Sequence, residues 1–313
     1  MTRSRAASPS PGWTLSLPAA YPLSSAILLI CALYVVAAAV CMLSWILTGS
    51  NDSIRICFQE IGGPLLAVFA MVETAAALRV WSLFQVGEPL RTGWFFLAAA
   101  GSVHTVSVIA RHLLGRDILL NPLRVLPSAS TLLPLFDEFG RALGGTLFPL
   151  VLLAGLFFVL RVYARLRLLT RLALFDYFPL AAAAALLAFE FTQFLHWLPL
   201  RRGHVTTLWS IGWATEPLFV LLFAAAVILR RANLALRHGR LARCWSAYAT
   251  AIFLTCAGTL CEALFQGGFI SLWTWSPSWL IWCPAAAAFA LGPVCQMETM
   301  HLALRSAHSG PSA

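Results

Sequence analysis

Apolar residues recur along this chain in long runs separated by short polar breaks. Eight runs are long enough to cross a ~30 Å hydrocarbon layer as a helix of about 20 residues. They cover 24–48, 60–84, 92–114, 142–164, 172–198, 207–231, 246–270 and 277–303. The expected fold class is therefore all-α: a polytopic transmembrane bundle of about eight helices. It forms one membrane domain over 23–304, between an N-terminal tail, 1–22, and a C-terminal tail, 305–313. The first run exceeds the ~7–15-residue apolar core of a secretory signal, so it reads as an uncleaved first membrane helix.

A weak internal periodicity lies within this pattern. The second and fourth runs each carry a glycine pair upstream of an arginine: Gly62 and Gly63 before Arg79, Gly144 and Gly145 before Arg161. Pro149 precedes Arg161, Pro217 precedes Arg230 and Pro293 precedes Arg305 at spacings of 12, 13 and 12. Tandem helical hairpins in parallel orientation would produce such a pattern. Positive-inside arginines and membrane-tolerated Pro and Gly produce much of it without a repeat.

Composition supports a membrane chain. Hydrophobic residues make up 60%, charged residues 11%, and mean hydropathy is +0.82; a soluble domain carries about 25% charge. All 21 basic residues are arginine. Without lysine, the chain can form neither a Walker A phosphate loop nor a lysine Schiff base. The net charge of +9 follows topology rather than an acidic partner, and nucleic acid is not an expected one. If the N-terminus is cytoplasmic, fourteen arginines fall inside and seven outside, with dense clusters at 161–171 and 230–243. That two-to-one bias predicts both termini on the cytoplasmic side of an inner (plasma) membrane. Tryptophans gather towards the outer ends, as an interfacial belt does. The eight cysteines fall mostly in apolar runs with no CxxC spacing, so helix packing accounts for them.

Ionisable residues inside such runs are costly, at least ~2.5–3.5 kcal/mol each, and so face the bundle interior. Glu73, His104, Glu190, Glu216 and Glu262 occupy such positions. Glu190, Gln193 and His196 span an arc of about 120° on one helix side, and Glu262 and Gln266 are one turn apart. Glu190 sits roughly 10 Å below the level of Trp197 by helical rise, with Glu216 and Glu262 in the same outer half. Three carboxylates at one height predict an outward-facing polar pocket, and Pro217 would free a backbone carbonyl near Trp213 as a further acceptor. The pocket and ion-binding candidates are thus Glu190, Gln193, His196, Glu216, Glu262, Gln266, His104 and Glu73. Glu73 has Arg79, six residues on, or an arginine of another helix as its expected partner, His104 taken alone reads as a packing histidine, and Glu298 with His301 reads as an interfacial pair.

A pocket of this kind fits a small solute, a proton or a cation, with carboxylates as binding or relay groups. The alternative is a membrane sensor or accessory subunit that binds a ligand, metal or haem and signals through its arginine-rich loops. For a metal, the candidate ligands are His112, His196, Cys261 and Glu262; His112 and His196 lie at one level, as axial haem ligands would. No GxSxG, DDxxD, HExxH or histidine-rich box marks an enzyme. The expected partners are the lipid bilayer and a small-molecule or ion ligand. Substrate, cofactor and oligomeric state are not legible.

Overall fold

The computed structural model describes residues 21–49, 56–114, 139–167, 216–235, 241–266 and 279–308, together with Phe136 and helical residues scattered between 174 and 188. All regular structure among them is helical. Seven α-helices follow in chain order: α1 Pro22–Thr48, α2 Gly63–Leu83, α3 Pro89–Val108, α4 Phe148–Arg165, α5 Glu216–Ala235, α6 Leu241–Gln266 and α7 Trp279–His308. Three π-helical segments extend them: Ile56–Gly62 before α2, Ile109–Leu114 after α3, and Leu143–Leu147 before α4. Six of the resulting rods are long and apolar enough to cross a membrane. The expected fifth run, 172–198, lies largely outside the described residues.

Helix starts follow proline chemistry. α1, α2, α3 and α4 each carry a proline in the first two positions, where its fixed φ suits the helix and its missing N–H is not needed. The glycine pairs have a structural counterpart: Gly62 closes one π segment and Gly144–Gly145 lie in another, each leading into a proline-started helix. Pro293 departs from that arrangement and lies inside α7. α1 ends at Gly49, whose φ of +68° is left-handed and whose N–H closes on Trp45 O, the usual role of glycine at a helix C-terminus.

The helices close into a ring. α2 packs on α3, α3 on α4, α4 on α5, α5 on α6, α6 on α7, and α7 returns to α2, while α1 lies outside against α7. Lipid gives helices no hydrophobic reason to associate, so close fit has to hold them. Small residues supply it. A Cβ at Gly93 would come within 2.9 Å of Val159 Cγ2, and one at Gly155 within 2.9 Å of Leu97 Cδ2, so α3 and α4 meet nearly backbone to backbone. Phe148, Leu152, Leu156, Trp94, Leu97, Trp245, Tyr248 and Phe289 fill the ring's interior. α1 buries only the stripe Ser24, Ile27, Tyr34, Ala38 and Trp45; Leu29, Leu33, Val36, Val40 and Leu47 on its other faces are more than half exposed. An exposed apolar face of that size suits acyl chains.

Arg79, Arg91, Arg161, Arg165, Arg230, Arg231, Arg243 and Arg305 all belong to helix ends on one side of the bundle, the side where α1 begins and α7 ends. This is called the arginine-rich end below. Arg231 Nε lies 2.7 Å from Asp176 Oδ2, so Asp176 is the partner of an α5 arginine.

Candidate functional site

The described candidates converge on α2 and α3. Glu73 is the central residue of α2, ten positions from Gly63 and ten from Leu83, or about 15 Å from either end by helical rise. His104 faces it from α3, its Nδ1 2.7 Å from Glu73 Oε2. Glu73 is 1% exposed and His104 14%. Directly beside this pair, Thr74 Oγ1 and Thr105 Oγ1 share a 2.9 Å hydrogen bond, and Thr74 also donates to Ala70 O. Two successive polar pairs thus bridge one helix interface. Gly101 makes room for them: a Cβ there would meet Thr74 Oγ1 at 3.1 Å and Glu73 Cγ at 3.5 Å.

The surroundings of the pair are aromatic. The His104 ring stacks on Phe148 of α4 at 4.8 Å and meets Phe289 of α7 edge-on at 5.7 Å. Tyr248 of α6 is within electrostatic range of Glu73. A carboxylate in such a place must be paired or neutral, because desolvating an unpaired charge costs several kcal/mol. Imidazole meets either need. The proton between Nδ1 and Oε2 can belong to imidazolium, giving an ion pair, or to the carboxyl group, giving a neutral pair. Nε2 is the ring's second nitrogen and can donate or accept a proton on the far side from Glu73.

Two sequence expectations are corrected here. Glu73 pairs with His104 rather than with Arg79; six residues along a helix is 240° of rotation, so the two point away from each other. Glu298 forms no interfacial pair with His301. It is 7% exposed and reaches across to the start of α1. Its Oε1 accepts from Leu23 N at 2.7 Å and Ser24 N at 3.4 Å, and its Oε2 accepts from Ser24 Oγ at 2.5 Å. Leu23 and Ser24 carry N–H groups that no residue of their own helix can satisfy, and a helix N-terminus attracts negative charge. Arg243 lies over the ring of Tyr21, the residue before the helix, at 4.8 Å.

Glu190, Gln193 and His196 lie outside the described residues. Glu216, Glu262 and Gln266 have helical backbone, but their side chains are outside the description. Antiparallel packing of α5 and α6, fixed where Cys256 Sγ donates to Phe219 O at 3.2 Å, places positions 216 and 262 at the same end of the bundle, opposite the arginines. Of the metal candidates, His112 sits in the π segment after α3 at that same end, and its Cβ approaches Gly63. Cys261 is a partly buried free thiol. Among the described residues no three His, Cys, Asp or Glu side chains gather as a metal site.

Sequence reasoning missed the aromatic cluster on the arginine-rich side of the pair. Trp94, Trp245, Tyr248 and Tyr163 are buried there, with Trp94–Trp245 ring centroids 5.7 Å apart and Trp94–Tyr248 6.3 Å apart. Their positions near helix ends match those of interfacial anchors, so composition carries no signal that they face inward.

With this geometry in place, the described residues form an all-helical bundle with six candidate membrane spans and a carboxylate–imidazole pair at its interior. No protein-family model, curated protein or solved structure matches the chain.

Proposed function

We propose that this is an integral membrane protein that handles a proton, or a small solute or cation coupled to one, through Glu73 and His104. The observation that carries the reading is their 2.7 Å contact, made by a carboxylate that is buried at the middle of α2. Intramembrane ionisable pairs mark proton relays and ion pathways, and interhelical packing alone is served as well by apolar residues. The pair exchanges one proton internally and has a second ring nitrogen through which to pass it on. In this reading Glu190, Gln193, His196, Glu216, Glu262 and Gln266 form the mouth of the path at its other end. The arginine bias supports a cytoplasmic arginine-rich end in an inner membrane.

The test is proton movement in proteoliposomes holding a pH-sensitive dye. A pH step should decay faster with wild type than in empty vesicles, and Glu73→Gln or His104→Gln should slow it at least tenfold. Decay in wild-type vesicles that both substitutions leave unchanged would refute the reading.

A further inference from the structure

We propose that the half of the bundle nearest the arginine-rich end holds a hydrated seam, lined by Tyr163, Trp245, Tyr248 and Gln296, that carries protons between that face and Glu73. The proposal rests on the reading of Glu73–His104 as a proton-handling pair and extends it to a route and a side.

Four polar atoms support it. Tyr248 Oη and Gln296 Oε1 are buried with no hydrogen-bond partner among the described residues, and Tyr163 Oη and Trp245 Nε1 are buried beside each other; their residues are 0%, 6%, 1% and 1% exposed. More than nine in ten buried polar groups in proteins are paired. When the partner is not protein it is ordered water, which makes about three hydrogen bonds and needs several polar neighbours. Here the neighbours are contiguous. The Tyr163 and Trp245 ring centroids are 6.0 Å apart, and those of Trp245 and Tyr248 5.8 Å. Tyr248 sits against Gly292, where a Cβ would come within 2.5 Å of its Cε2, so the ring is seated in a notch of α7 one turn before Gln296. Tyr248 and His104, the partner of Glu73, both pack on Phe289, at 6.2 and 5.7 Å between ring centroids.

The donor set suits water better than a solute. A tyrosine hydroxyl both accepts and donates, so it can pass a proton; indole N–H only donates and the glutamine oxygen only accepts, so they anchor. The rings are packed on Trp94 and Phe289. The groups facing Glu73 are His104 from α3 and Tyr248 from α6, while α4 and α7 present Phe148 and Phe289 around His104. A proton that enters at the arginine-rich end leaves water as it arrives on Glu73, and only O–H bonds are exchanged.

Radiolytic footprinting in 18O-water, on protein in lipid nanodiscs, detects water beside buried side chains. Tyr163, Trp245 and Tyr248 should gain label at least tenfold faster than the equally buried Trp94; equal or slower labelling overturns the seam. Tyr248→Phe removes one hydroxyl and keeps the ring, and Tyr163→Phe does the same one step away. Each should cut proton flux at least fivefold, with size-exclusion elution confirming an intact fold. If both conduct as wild type while Glu73→Gln does not, the seam falls and the pair stands. If wild type shows no Glu73-dependent flux, the functional reading falls and the seam with it.

Discussion

Glu73 and Glu298 are both buried carboxylates in one apolar bundle, and they are held by opposite means. Glu298 is fixed by three donors at the start of α1, two backbone N–H groups and a hydroxyl. None of these can take up a proton to replace the one it offers, and the helix N-terminus adds fixed positive potential. Glu73 has one near partner, His104, which can itself hold the proton. The first arrangement is a clasp that ties the outlying α1 to the last helix. The second is a place where protonation can change without loss of the contact. Burial alone, almost equal at 1% and 7%, does not separate the two; the chemistry of the partner does.

The sharpest way to break this contrast is to remove one partner from each. His104→Ala leaves Glu73 buried and alone, and should lower unfolding stability in mild detergent by about 3–5 kcal/mol. Adding Glu73→Gln to it should recover at least half of that loss, since no charge is then stranded; strictly additive losses would show that the two side chains do not form a unit. Glu298→Ala should cost less, about 1–3 kcal/mol, with hydrogen exchange at Leu23 and Ser24 accelerated and proton flux unchanged. A Glu298 variant that stops flux would erase the distinction drawn here. Gly292→Ala should cost about 1–2 kcal/mol through overpacking against Tyr248, visible as a lower unfolding midpoint. Thr74→Val should cost only about 0.6 kcal/mol, the typical worth of an interhelical hydrogen bond in a membrane protein, read from the same unfolding curves.

Much of the fold could be read from the apolar pattern. The runs at 24–48 and 92–114 lie within two or three residues of Pro22–Thr48 and Pro89–Leu114, because length and hydropathy are set by what a bilayer demands. The π segments carried no comparable signal, since the same residues serve an α-helix equally well. Glu73 and His104 were each conspicuous as intramembrane polar residues, yet their partnership was hidden. They lie 31 positions apart, and Arg79 was the nearer charge. The α1 cap was hidden for the same reason: a local capping box shows in sequence, whereas this acceptor comes from 275 residues away. Trp94, Trp245, Tyr163 and Tyr248 were unreadable for a different reason. In a membrane chain the lipid-facing and buried surfaces are equally apolar, so only packing tells which way an aromatic ring points.

The central claim, that the Glu73–His104 contact is a proton-exchanging pair, is tested most directly by infrared difference titration of the protein in nanodiscs, wild type against Glu73→Gln. The account predicts a carboxyl carbonyl band that changes with pH, is absent from the Glu73→Gln spectrum, and is shifted by His104→Gln. A spectrum in which no pH-dependent carboxyl band depends on Glu73 would contradict it, and Glu73 would then be a fixed structural group like Glu298.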